Sequence, residues 1–526
     1  MRCDGLPAVK TGADGRWPGR RRVMAGLAAT VAVGPAFAQA NGIQATIQAA
    51  LGDGQRFSAA AVLDLARAIA KRPYAAPAND LPDAYANLPY EKYIGVKPLP
   101  AARLWEGENR GFMAEPLPRG FVFTTSVALF TVEDEQIRRV SFDKSRYDFG
   151  GLNLPANAPD PGFSGMRLLA TAGSAAPFEF AIVQGATFFR AAARGQNFGI
   201  IARALALKSG DPRGEEFPSF RAFWMERPAA GTNALVIYGL IDSESVTGAV
   251  RMTFRPGEAT IVDVETTLFP RVTLEHVGLG AMAATLIFGP NVRQGTDDLR
   301  PAVHDAAGVS MLNGQGEWIW RPLNNPDSLQ ISSFLDDNPR GFGLLQRDRD
   351  FATYQDDGQR YERRPSLWIQ PIGEWAQGTV NLIEIPSDSE INKNILAYWR
   401  PKAPMQAGSE VAFAYRQFWA WDAPERPNLA VVTATRSGKG SGGRRRRFLV
   451  EFTGDNLATP PADLRAAVST APGTIQNTKV WTYPDRKMAR VGFELDPASE
   501  AACEMRLLLQ SGSAPASETW LYRWTP

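Results

Sequence analysis

The 526-residue chain has two histidines, and one of them, His304, precedes an aspartate in VHDAAGVSMLNGQGEWIWRPLNNP, residues 303–326. An imidazole beside a carboxylate can serve as a general base, provided that an acid or a nucleophile faces it. A hydrolase triad would require Ser or Cys in a sharp elbow, and no G-x-S-x-G occurs. A metal would require more imidazoles than His304 and His276, the latter in LEHVGLG, so no metal and no cofactor is expected. Paired acids are a further possibility: Asp305 with Asp336, Asp350 or Glu390 could act as the acid and base of a glycosidase, but the sequence does not give their separation. A lone histidine in a β-rich chain also reads as a hydrogen-bonded structural residue, and both readings stand at this point.

The window 318–375 interleaves Trp318, Trp320, Phe334, Phe342, Phe351, Tyr354, Tyr361, Trp368 and Trp375 with Asp336, Asp337, Asn338, Arg340, Asp348, Asp350, Gln355, Arg363 and Arg364. Aromatic faces stack on the C–H surfaces of sugars while amides, guanidinia and carboxylates bond hydroxyls, which is what an oligosaccharide cleft requires. The same composition also fits the core of a β-sandwich with polar turns.

The elements that must position these residues are short β-type runs separated by turns, among them ALVIYGLIDS (234–243), VRMTFRPG (250–257), ATIVDVETTLFP (259–270), WIWRPL (318–323), LQISSFLDD (329–337) and TVNLIEIPS (379–387). No βαβ alternation interrupts them, so the fold class expected is all-β, an antiparallel sandwich of two sheets. One helix is predicted in FSAAAVLDLARAIAKRP (57–73), capped by Ser58, with Val62, Leu65, Ala66 and Ile69 on one face. A linker at 401–408 divides a large domain, 39–400, from a second strand set, 409–526, that suits a smaller immunoglobulin-like sandwich.

The composition, with 44% hydrophobic and 21% charged residues, is that of a globular protein, and 48 Gly with 39 Pro favour turns. Arg20, Arg21 and Arg22 precede a mildly apolar run and the small-x-small site Ala36-Phe37-Ala38, so residues 1–38 read as a cleaved export signal resembling the twin-arginine type. The apolar run is too short for a bilayer-spanning helix, and no stable membrane insertion is expected. Without residues 1–38 the chain carries 51 basic and 53 acidic residues, so nucleic acid gains no support as a partner. Cys503 is then the sole cysteine, which excludes an internal disulfide.

PGFSGMRLL (161–169), GATFFRA (185–191), EEFPSFRAFW (215–224), GLIDSESVTGA (239–249), GEWIWRPLNNP (316–326), RRPSLWIQP (363–371), EIPSDSEINKNILAYW (384–399) and SETWLY (517–522) strongly resemble the osmoregulated periplasmic glucan biosynthesis proteins G and D, and the arginine-rich leader leans towards the D branch. The resemblance implies a large galactose-mutarotase-like β-sandwich with a long cleft, a small immunoglobulin-like C-terminal domain and a periplasmic location. It also implies a β-1,2-linked glucan as ligand, which the protein binds and shapes, and a membrane glucan synthase as a possible partner. Some members are similar to glycoside hydrolase family 186, inverting β-1,2-glucanases or transglycosylases. In that pattern Asp305 is the general base with His304 as its scaffold in the substrate-binding set, Tyr361 lies in the polar network of the cleft, and Arg364, Trp368, Tyr354 and Arg321 are sugar contacts.

The general acid departs from the pattern. Where the family carries an aspartate, EIPSDSEINKNI has Lys393. With its usual pKa of about 10.4, a lysine is a poor proton donor at neutral pH, and its charge disfavours an oxocarbenium-like centre. Three readings follow: Glu390 or Asp388 substitutes, Lys393 acts with a pKa lowered by burial, or the protein presents glucan without cutting it. The loop SGKGSGG (437–443) is also shorter than the insertion that closes over substrate in D-type proteins, which implies a more open cleft.

Overall fold

The computed structural model describes residues 35–526 except 153, 155, 156, 172–175, 293–296 and 426. The expected export signal lies outside the described residues up to residue 34, and the helix Pro35–Leu51 runs across the expected cleavage point.

Among the described residues the chain is all-β apart from short helices, and two large sheets face each other. The first is ten-stranded, running from Phe112–Pro118 through Phe163–Ala170, Phe178–Gln184, Phe188–Ala191, Ile201–Arg203, Val277–Ala284, Ile395–Pro401 and Gln377–Glu384 to Gln330–Asp337, with Ala206–Leu207 also paired to Val277–Ala284. The second is fifteen-stranded, and at its centre Ser366–Ile372, Val411–Ala420, Thr260–Pro270 and Val246–Arg255 lie side by side. The strand Thr260–Pro270 shows how the sequence builds this layer. Val262, Val264 and Leu268 point inward and are buried, while Glu265 between them is exposed, the two-residue period of a sheet with one wet face. Facing residues Met166, Leu168, Phe180 and Val183 from the first sheet and Val250, Met252, Phe254 and Val264 from the second form one core.

The outer face of the fifteen-stranded sheet is covered at two places. At one end the helix Ala59–Ala70, capped by Ser58, lays Val62, Leu65, Ala66 and Ile69 against Trp224, Tyr238, Leu240 and Phe269, as its periodicity predicts. At the other, four strands, Val431–Lys439, Arg446–Thr453, Met488–Asp496 and Thr474–Tyr483, pack Phe448, Val450, Phe452 and Phe493 onto Trp320, Trp368, Leu345 and Trp520.

This second sandwich shares a sheet with the first, because the C-terminal strand Thr519–Trp524 pairs in parallel with Trp318–Pro322 through Ile319↔Thr519 and Trp320↔Trp520. The strand Val411–Ala420, assigned above to the second domain, is hydrogen-bonded on both sides within the large sheet, to Thr260–Pro270 and to Ser366–Ile372. By pairing, the crossover to the second sandwich therefore falls after Ala420.

Candidate functional site

A two-stranded ribbon, Leu286–Phe288 with Val303–His304, carries the candidate base to the end of the sandwich. Asp305 follows the ribbon directly. Its backbone N–H donates to Thr285 O at 2.8 Å, and its Oδ2 accepts from Thr285 N at 2.9 Å, which fixes the carboxylate in a fully buried position. Two cations close on it: Arg364 Nη1 donates to Oδ1 and Lys393 Nζ to Oδ2. Burial alone would raise the Asp305 pKa, but Lys393 and Arg364 overcome that and hold it far below the usual carboxylate range. Asp305 is thus an anion with both oxygens engaged.

The loop 386–394 supplies the other side of the site. It is anchored by Thr285 Oγ1, which donates to Asn392 O at 2.9 Å, and by Asn394, whose side chain bonds both Leu286 N and Leu286 O at 2.9 Å. Asn325 donates to Ser387 O at 2.7 Å and accepts from Ser387 N at 3.0 Å. Held this way, the loop presents Glu390 and Lys393 with 35% and 22% of their side chains exposed. Glu390 accepts from the Tyr361 hydroxyl at 2.7 Å and pairs with Arg300, which also binds Asp298 and Asp356 at 2.7 Å each. Hydrogen bonding to Arg300 lowers the Glu390 pKa, and burial lowers that of Lys393. The Tyr361 hydroxyl is raised by burial and by its bond to Glu390. Arg364 lies 4.1 Å over the Tyr361 ring and donates to Gln359 Oε1 at 2.6 Å, so Tyr361 and Arg364 join the acidic loop to Asp305.

His304 and Tyr354 form the layer behind. The imidazole is buried, 5.1 Å from the Tyr354 ring, with Nδ1 3.2 Å from Gln346 Nε2. Burial pulls its pKa down to about 4, so the ring is neutral at neutral pH. Tyr354 is fully buried, its hydroxyl donating to Asp348 O at 3.3 Å.

Two residues expected at the site lie elsewhere. Trp368 is 3% exposed, stacked 5.5 Å from Trp318 in the core beneath the second sandwich. Its place on a strand buried on both faces removes it from any sugar. Arg321 is 1% exposed, pairs with Glu384 at 3.2 Å and lies 5.6 Å from the Tyr522 ring, where it joins the two sandwiches.

The loop 386–394 also lines a 690 Å³ crevice, where Asn324, Asn325, Ser387 and Asp388 face Arg446 and Trp524 of the second sandwich. Sequence reasoning missed Thr285, Arg300 and Asn394. Asn394 adjoins Lys393 and could have been found by following that loop, whereas nothing local marks Thr285 or Arg300.

A profile of the family described as periplasmic glucan biosynthesis protein, MdoG, matches residues 57–524. The chain belongs to this family. It is 42% identical to a protein of Bradyrhizobium diazoefficiens over 90% of this chain and 95% of that one. It is also 42% identical to a protein of Vibrio cholerae over 88% of this chain and 86% of that one. A Shewanella protein is 41% identical over 89% and 87%. All three are named glucans biosynthesis protein G, the branch other than the one towards which the leader leaned. Similarity to solved structures is weak: an Escherichia coli chain described as a candidate aldose 1-epimerase aligns over 39% of this chain at TM-score 0.19 and 9% identity, and the fold above rests on strand pairing instead. As a family member the protein has a role in periplasmic glucan biosynthesis, and none of its described helices is long and apolar enough to cross a membrane.

Proposed function

We propose that the protein acts in the periplasm by binding and shaping a β-1,2-linked glucan backbone at the loop 386–394, and that it holds this chain without cleaving it through Asp305. The observation that carries this reading is the engagement of both Asp305 oxygens by Arg364 and Lys393. A general base needs a proton affinity near the working pH, and Lys393 and Arg364 hold that of Asp305 far below it against the upward pull of burial. The candidate acids fare no better. Glu390 is kept ionised by Arg300, and an ionised carboxylate has no proton to give a glycosidic oxygen. Lys393 is paired with Asp305.

What remains is suited to recognition. Partly exposed Glu390 and Lys393 offer an acceptor and donors to hydroxyls on a loop pinned by its own hydrogen bonds. A membrane glucan synthase is the partner this role would serve.

The test is incubation of the protein with linear β-1,2-glucan, followed by chromatography of the products and NMR of the anomeric signals. The expected result is bound, unshortened glucan. Shorter or cyclised glucans with inverted anomers, lost in Asp305→Asn, would overturn the reading in favour of a glucanase or transglycosylase.

A further inference from the structure

A set of aromatic rings takes no part in the network around Asp305. The Tyr90 and Phe121 ring centroids are 5.6 Å apart, those of Tyr93 and Phe121 6.2 Å, and those of Tyr93 and Phe123 5.7 Å. Tyr93 is the fixed member: its hydroxyl donates to Pro118 O at 3.0 Å and accepts from Gln184 Nε2 at 2.7 Å. Phe121 sits in a turn closed by Gly120 N donating to Phe123 O at 3.2 Å and Phe123 N to Gly120 O at 2.9 Å, with φ at +52°. A bulky side chain in the left-handed region is strained, and such strain persists only where the surroundings over-determine it. The outcome is a ring pair on a rigid base that leaves apolar surface in water, with Tyr90 55% and the adjoining Val122 66% exposed.

Arg190 links this patch to the site. Gln184, which holds Tyr93, ends the strand Phe178–Gln184, and the neighbouring strand Phe188–Ala191 sets Arg190 opposite Ile182. The Arg190 guanidinium lies 5.1 Å from the Phe198 ring. Phe198 belongs to a segment bound to the site, since Gly195 O accepts from Arg363 Nε at 3.0 Å and a Cβ on Gly199 would meet the Arg364 side chain at 2.8 Å. Arg190 also feels both the Tyr90 hydroxyl and Arg364 electrostatically, and Lys393 feels Arg190.

We infer that Tyr90 and Phe121 form a stacking platform for pyranose rings of the glucan, away from the Asp305–Lys393 pair, with Arg190 between the two as a donor to sugar hydroxyls. The inference rests on the glucan-binding reading above. Supported aromatic faces beside a guanidinium fork match the alternating apolar and hydroxyl surfaces of a sugar chain, and Arg190 stands within electrostatic reach of both Tyr90 and Lys393.

The experiment is calorimetric titration of the full chain and of Tyr90→Ala and Tyr90→Phe with linear β-1,2-gluco-oligosaccharides of increasing length, with sedimentation of each variant alongside. In Tyr90→Ala the affinity for long chains should fall about tenfold while that for the shortest bound chain is kept, and Tyr90→Phe should retain both because stacking needs the ring. Wild-type affinity of Tyr90→Ala at every length overturns the platform and leaves the glucan reading standing. Absence of glucan binding by the wild type removes that reading and the platform with it. Unchanged sugar binding with lost self-association would make the patch a contact between copies of the chain, and also overturns the inference.

Discussion

Lys393 donates to the carboxylate of Asp305 from 88 residues further along the chain, at the place where the resemblance led to the expectation of a general acid. Against the upward pull of burial, the cation at this place lowers the proton affinity of the expected base. Lys393→Asp would remove the cation and set a second carboxylate beside Asp305, a like charge that raises the pKa of one of them. Cleavage of linear β-1,2-glucan, measured as new reducing ends, should rise to about a hundredfold above the uncatalysed background that the wild type leaves unchanged. No rise would place the obstacle to catalysis beyond this residue.

Removal of the anion is a different matter. Asp305→Asn leaves Arg364 and Lys393 facing each other without a counter-charge next to a fully buried position, and breaking a buried ion pair this way costs about 3–5 kcal/mol. Lys393→Met should cost less, because Arg364 still neutralises Asp305. Urea unfolding of both variants checks the order, and equal losses would contradict the assigned partners.

Stability should also depend on acid. The His304 pKa is pulled from 6.5 to about 4 by burial, so between these values the unfolded chain binds a proton that the folded one refuses. Stability therefore rises with pH across that window and falls on acidification, by about 3 kcal/mol for the whole shift. Asp305, lowered in the fold, adds a loss below its unfolded value of about 3.9. Denaturant midpoints measured from neutral pH down to about pH 4.5, above the Asp305 window, should shift less in His304→Gln than in the wild type.

Trp368 separates packing from sugar contact. Trp368→Ala should destabilise the fold by about 3–5 kcal/mol while leaving the affinity of the folded protein for glucan unchanged. A weakened affinity at full foldedness, read by calorimetry, would return this ring to the cleft.

The sequence by itself determined the elements. Alternation in ATIVDVETTLFP and the spacing of Val62, Leu65, Ala66 and Ile69 are local patterns, and the strand Thr260–Pro270 and the helix Ala59–Ala70 follow them because side-chain direction repeats every two residues in a strand and every 3.6 in a helix. The resemblance carried by its motifs also singled out Asp305, Glu390 and Lys393, without giving their contacts. What only the tertiary structure decided was the choice among partners. A two-residue period says which face of a strand is buried but not which sheet covers it, so Val411–Ala420 went to the large sheet and Trp368 and Arg321 to buried positions beneath the second sandwich. The state of Asp305 is non-local in the same sense: Arg364 reaches it from 59 residues away and Lys393 from 88, and only their convergence at one buried carboxylate turns an expected base into a fixed anion.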